Sequence, residues 1–171
     1  MSNAWSYLAG IVDGEGTICL YYMKAQNRAQ CQVVIPNTSV ALMKWLVTNF
    51  GGRFDTLLPK DSFGFNRKPL YRWQPAGKKN REKILLGVLP HLVIKKQQAL
   101  LALEFERLGY GQLSKRQELA RACSKLNNGD ESLTTNTLDS VPTEMIESEL
   151  IGDYESALGV IQGVEDGSTL A

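Results

Sequence analysis

Two acids stand two residues apart in Ile11-Val-Asp-Gly-Glu-Gly-Thr-Ile18, directly after the apolar stretch Trp5-Ser-Tyr-Leu-Ala-Gly10. Residues 5–14 place Tyr7, Leu8, Ile11 and Val12 at helical spacing, so Asp13 and Glu15 fall at the foot of a helix with a buried side. A carboxylate in such a place must be solvated, paired or bound to metal. Beside a phosphate-binding surface its main use is to hold a hard divalent cation, which takes carboxylate, water and phosphate oxygens. Rival chemistries have little material. His91 is the only histidine, which leaves no His-based triad and no His-rich metal site. Cys19, Cys31 and Cys123 lack CxxC spacing, so reduced thiols are expected rather than a disulfide scaffold or a zinc site.

The balance of charge points to a polyanion. Residues 1–116 carry 17 Lys and Arg against 7 Asp and Glu, a net +10, while residues 117–171 carry 2 against 11, a net −9. A strongly basic body suits nucleic acid, although an uneven solvated surface would read the same way. The 171 residues are 43% hydrophobic and 22% charged, which suffices for one domain with a core plus an extension. No apolar run reaches bilayer length and no signal-peptide pattern is present, so an intracellular, non-secreted protein without a membrane partner is expected.

The elements that must position Glu15 follow from periodicity. Residues 17–25 are rich in β-branched and aromatic side chains and read as a strand. Residues 28–35 alternate, with Arg28, Gln30 and Gln32 on one face and Ala29, Cys31, Val33 and Ile35 on the other. Gln26-Asn27 joins them as a hairpin. Ser39 is placed to cap a helix over 40–50, with Leu42, Met43, Leu46 and Phe50 inward, and Gly51-Gly52 stops it. Residues 53–58 and 70–75 form a second strand pair, and helices follow over about 80–88 and 92–108, broken at Pro90. The order αββαββα predicts an α+β fold, a four-stranded antiparallel sheet with helices on one face. A basic core over 1–113 is expected to be followed by an acidic, mainly helical extension over 114–171: a helix over 114–126, a polar linker, and an amphipathic helix over 143–162 with Ile146, Leu150, Tyr154 and Leu158 in its stripe.

Register then gathers a polar face. Glu15, Thr17, Cys19 and Tyr21 alternate to one side of the first strand; if Arg28, Gln30 and Gln32 share it, the second pair adds Arg53, Arg72 and Gln74. Arg and Gln suit base edges in a major groove, which admits a β-ribbon. Lys60, Arg67 and Lys68 in the loop between the second pair would meet phosphates. On the residues alone, Glu15 could equally satisfy only backbone amides in a tight turn, and the Arg and Gln face could be a solvated one.

Leu8-Ala-Gly-Ile-Val-Asp-Gly-Glu-Gly16 resembles the signature of the LAGLIDADG homing endonucleases, departing at its fourth, fifth, seventh and eighth positions. The αββαββα order over residues 5–108 is similar to that family's core. The resemblance implies a site-specific double-strand DNA endonuclease that uses Mg²⁺, with Mn²⁺ or Ca²⁺ able to substitute for binding. It implies that Glu15 is the metal-binding acid, with the Gly14 carbonyl as a further ligand. Asp13 matches the more structural acid at the helix end, Asn37 a polar residue that orders active-site water, and Lys95 the basic residue near the scissile phosphate, with Lys96 as the alternative. Two motif helices pack face to face in this family. Leu8, Gly10, Ile11, Asp13 and Gly14 are therefore expected between subunits, and the single motif copy implies a homodimer on a pseudo-palindromic site. A non-cleaving DNA-binding protein, or an RNA-splicing maturase with RNA as partner, is the alternative on the same fold. The joint presence of Glu15 and Lys95 speaks for cutting.

Overall fold

The computed structural model describes residues 2–57, 68–109 and 111–129. Among them are α1 (Ser2–Gly14), β1 (Thr17–Met23), β2 (Arg28–Asn37), α2 (Val40–Phe50), β3 (Arg53–Leu57), β4 (Leu70–Gln74), α3 (Gly77–Val88), α4 (Lys96–Arg107) and α5 (Leu113–Asn127). The four strands form one antiparallel sheet in the order β1-β2-β4-β3. This is the α+β layout expected from the pattern of elements. The expected amphipathic helix over 143–162 and most of the linker before it lie outside the described residues.

β2 holds the sheet together by changing partners. Residues 28–34 pair with β1, from Thr17↔Val34 to Met23↔Arg28, and Ile35, Pro36 and Asn37 pair with β4. The first hairpin closes on a 3₁₀ turn, Lys24–Gln26, followed by Asn27 at φ 45°. Asparagine tolerates this left-handed conformation, and Tyr22 donates to its Oδ1 at 2.6 Å. β1 therefore stops at Met23, two residues earlier than its composition predicts.

The alternation along each strand decides which face the helices cover. Ile18, Leu20, Cys31, Val33, Ile35 and Trp73 are buried, and Met43 and Leu46 of α2, Ile84 and Leu85 of α3, and Phe105 of α4 bury their side chains with them. Each large apolar side chain buried contributes about 1.5–3 kcal/mol. The Trp73 indole keeps a partner inside, donating to Gly51 O at 2.9 Å. Ser39 Oγ accepts from Leu42 N at 3.3 Å and starts α2 where the sequence places it. α3 begins at Gly77, earlier than expected, because Asn80 Oδ1 accepts from Ala76 N while its Nδ2 donates to Phe50 O, both at 2.9 Å. α5 is fastened to the first hairpin, where Asn127 Nδ2 donates to Ile18 O at 3.0 Å and the buried Arg116 donates to Ala29 O at 3.5 Å, and to the end of α4, where Arg116 donates to Leu108 O at 2.8 Å. None of the described helices is long and apolar enough to cross a membrane.

Candidate active site and nucleic-acid interface

The C-terminal end of α1 is drawn tight by its own backbone. Glu15 N and Gly16 N donate to Ile11 O at 2.8 and 3.0 Å, and Gly16 N also donates to Val12 O at 3.0 Å. Gly16 cannot carry a side chain: a Cβ would lie 2.7 Å from Val12 Cα and 2.8 Å from Val12 O. The turn leaves Glu15 exposed, and Asn37 Nδ2 donates to Glu15 Oε2. Asn37 ends β2, and its Oδ1 accepts from Ser39 N at 2.8 Å. The Asn37 amide is thus oriented at both ends, its oxygen on the turn into α2 and its nitrogen on the carboxylate. Two candidates 22 residues apart in sequence meet because α1 ends where β2 passes from β1 to β4.

Asp13 and Lys95 lock together the backbones on either side of them. The Asp13 carboxylate accepts from Val93 N at 2.8 Å and from Lys95 N at 2.9 Å. In return Lys95 Nζ donates to Val12 O at 2.9 Å, which Gly16 N also reaches, and to Asp13 O at 2.6 Å, both carbonyls of the last turn of α1. This exchange explains why α4 starts at Lys96 and not near residue 92, as its periodicity suggests. The amides of Val93 and Lys95 are held by an acid about 80 positions upstream. Lys95, expected beside a phosphate, stands at the foot of the right helix, but its ammonium engages two backbone carbonyls. Lys96, the alternative, is the first residue of α4 and half-buried.

The face of the sheet away from the helices carries the residues the alternation assigned to it. Cross-strand pairs set Cys19 opposite Gln32, Tyr21 opposite Gln30, Arg53 opposite Gln74 and Asp55 opposite Arg72. Thr17 and Arg28 lie at the two ends of the β1–β2 ladder and are exposed. Partners on this face bond to one another: Tyr21 donates to Gln30 Oε1 at 2.8 Å, and Arg72 lies 3.6 Å from the Asp55 carboxylate. Burial pushes the Cys19 thiol above its ordinary range, and its Sγ faces Gln32 Oε1 at 3.9 Å. Lys68 is exposed just before β4, while Lys60 and Arg67 lie outside the described residues. The sequence reading passes over one residue at this face. Arg81 of α3 lines the same cleft as Tyr21, Gln30 and Gln74. Its only signal in the sequence is that it ends a basic run, Lys78-Lys-Asn-Arg81.

No family model matches the sequence, and no curated protein matches it. Solved structures do. The homing endonuclease I-CvuI, crystallised in complex with its target in the presence of calcium, superposes with a TM-score of 0.57 at 19% identity, over 73% of this chain and 82% of that one. The archaeal intron-encoded homing endonuclease I-Vdi141I, complexed with DNA, superposes with a TM-score of 0.60 at 14% identity, over 90% of this chain and 97% of that one. The chain has the homing-endonuclease fold.

Within the homing-endonuclease fold, the residues expected between subunits separate into two groups. Leu8 is 0% exposed and belongs to the core of its own chain. Its position in α1 puts it on the side shared with the buried Val12, so it is corrected from a surface contact to a core residue. Asp13 turns toward the segment before α4. Gly10, Ile11 and Gly14 continue a face that starts at Tyr7, at i, i+3, i+4 and i+7 of α1. Tyr7 is 56% exposed, and among the described residues a Cβ built on Gly10 or Gly14 meets nothing within 4 Å. Packing among the described residues does not require either glycine.

A divalent cation fits what is present only in part. No group of three or more His, Cys, Asp or Glu gathers among the described residues. At the foot of α1 the outward carboxylate is Glu15, next to Gly14 in the chain. A magnesium-like ion is commonly held by one or two carboxylates with waters and substrate phosphates completing the shell, so the donor set suits such an ion at a surface shared with DNA.

Proposed function

We propose that this protein is a site-specific double-strand DNA endonuclease that acts as a homodimer and depends on a divalent metal ion. The observation that carries the reading is the position of Glu15. It is an outward carboxylate held by Asn37 at the junction of α1 and β2, at the edge of a sheet face lined by Arg, Gln and Tyr.

Each part of the reading rests on a physical need. The open sheet face offers paired hydrogen-bonding side chains at strand spacing, a form suited to the major groove. Glu15 and the Gly14 carbonyl would hold Mg²⁺, with Mn²⁺ or Ca²⁺ able to take its place for binding; a bound cation of this kind activates water and offsets charge on phosphate oxygens. Asn37 keeps the Glu15 carboxylate in one orientation. Lys95 fixes the end of α1 through Val12 O and Asp13 O, and its positive charge offsets the negative potential that the helix end would otherwise set against a phosphate. A second copy is called for because one copy of the motif supplies one Glu15 and one four-stranded sheet, half of a site that cuts two strands. The face Tyr7, Gly10, Ile11 and Gly14 supports it. Glycine costs about 1 kcal/mol in a helix interior such as position 10, and Gly10 and Gly14, which meet nothing among the described residues, are useful where another backbone comes close. Two-fold symmetry then makes the target pseudo-palindromic.

The test is cleavage of a plasmid library of randomised sites with Mg²⁺, comparing wild type with Glu15→Gln. Site-specific double-strand cuts by wild type alone are expected, with the cut sites revealing a two-fold related sequence. Specific capture of DNA or RNA by both proteins without any cutting would replace the endonuclease by a binding protein on this fold.

A further inference from the structure

β2 and β4 share a ladder only from Ile35 to Asn37, opposite Trp73 to Tyr71. Away from it the two strands part, and the sheet has an opening. A cleft of about 250 Å³ occupies it, lined by Tyr21, Gln30 and Gln32 of the first hairpin, Gln74 and Pro75 after β4, and Arg81. Arg81 is not a sheet residue. It belongs to α3, in the layer behind the sheet.

The Arg81 side chain is fixed from the back. Its Nε donates to Glu106 Oε1 at 2.7 Å, and Glu106, in α4, is 3% exposed. Burying this pair offers the fold little, since desolvating two charges roughly cancels their attraction and apolar side chains of similar size commonly do as well. What the pair provides is orientation. A carboxylate on Nε holds the guanidinium plane; the Cys31 thiol lies against the same group, and the terminal nitrogens, with two N–H groups each, keep donors for a further acceptor. Burial first, and the Glu106 charge after it, push up the Cys31 thiol beside the pair, so that thiol stays neutral and adds no competing charge.

We propose that Arg81 reads DNA from behind the sheet, presenting its terminal nitrogens through the gap between β2 and β4 to a guanine edge, with Glu106 as its positioning residue. The proposal rests on the DNA-binding reading above. A guanine is favoured over a phosphate because the gap lies in the middle of the sheet face, among Gln30, Gln32 and Gln74. The middle of a ribbon in the major groove meets base edges, whereas phosphates run along the rims. Two parallel N–H donors match guanine O6 and N7, the commonest specific contact of arginine.

The experiment selects bound sites from a randomised DNA library with the full chain in Ca²⁺. It compares wild type, Arg81→Lys, and the double variant Arg81→Met with Glu106→Leu, which removes the pair without leaving a buried charge; thermal melting checks that each is folded. Wild type is expected to require guanine at one position in each half-site. The double variant should lose that preference alone, binding the guanine site about ten- to a hundredfold more weakly while other positions stay as selective as before. Arg81→Lys should fall between, because an ammonium cannot span both acceptors. Equal weakening on every sequence with a smaller salt dependence would mark a phosphate contact and overturn the proposal, as would an unchanged selection. If wild type selects no site at all, the DNA-binding reading falls, and this one with it.

Discussion

At the foot of α1 the polar groups hold distant parts of the chain together, while on the open face of the sheet they reach mainly to the next strand. Asp13 binds amides 80 and 82 positions away, and Asn37 meets Glu15 across 22. On the face, Tyr21 bonds to Gln30 and Arg72 pairs with Asp55, each with its cross-strand neighbour. The foot therefore has one arrangement that the whole fold over-determines. The face is a set of local pairs, each replaceable without disturbing the others. Chemistry that needs fixed atoms and recognition that must vary are kept in separate places.

The comparison breaks most sharply at Gly16. Gly16→Ala forces a methyl against Val12 and should cost about 1–3 kcal/mol, the usual effect of overpacking, and cutting should fall with it because the carboxylate next to it moves. Gln32→Ala on the face should change stability by less than about 0.5 kcal/mol and alter only which DNA is bound. Parallel chemical denaturation and cleavage assays of both variants would check this; equal losses of stability would erase the distinction. A smaller effect separates the foot from the helix face beside it. Gly10→Ala meets no atom among the described residues, so the monomer should gain up to about 1 kcal/mol of helix stability while self-association weakens. Sedimentation at several concentrations, alongside thermal melts, reads both signs. Smallest is a pH effect behind the sheet. Burial pushes the Cys123 thiol up from 9.0 to about 11, so the folded state holds its proton where the unfolded chain has released it. Its contribution to stability is complete below pH 9 and is lost as pH rises toward 11. Cys123→Ser should flatten the alkaline arm of a stability–pH curve; an unchanged arm would show that the thiol does not contribute.

Much of the fold was legible because its signals are local. The alternation from Arg28 to Ile35, the Ser39 cap and the two glycines after Phe50 act within a few residues of themselves, and the structure keeps those elements. The foot was legible in part: Glu15 and Asn37 could each be singled out, but only the hand-over of β2 explains why they touch. What could not be read depends on partners far away in sequence. Residues 92–95 have helical periodicity, and only Asp13 keeps them out of the helix. Leu8 and Gly10 are near neighbours in the motif, yet one is core and the other surface, a difference that spacing alone does not decide. Arg81 reads as one cation in a solvated run, and only the parting of β2 from β4 gives it a view of the opposite face.

The brevity of the ladder between β2 and β4 has a consequence for inheritance. Three residues, ending at Asn37, are all that join the two hairpins within the sheet. Either hairpin can lengthen, shorten or change its outward side chains without shifting the residue that steadies Glu15. A crossover between related genes inside the codons for Ile35 to Asn37 would deliver one hairpin from each parent around an intact centre. New target preferences would then arise by recombining whole readers, with no need to rebuild the chemistry one substitution at a time.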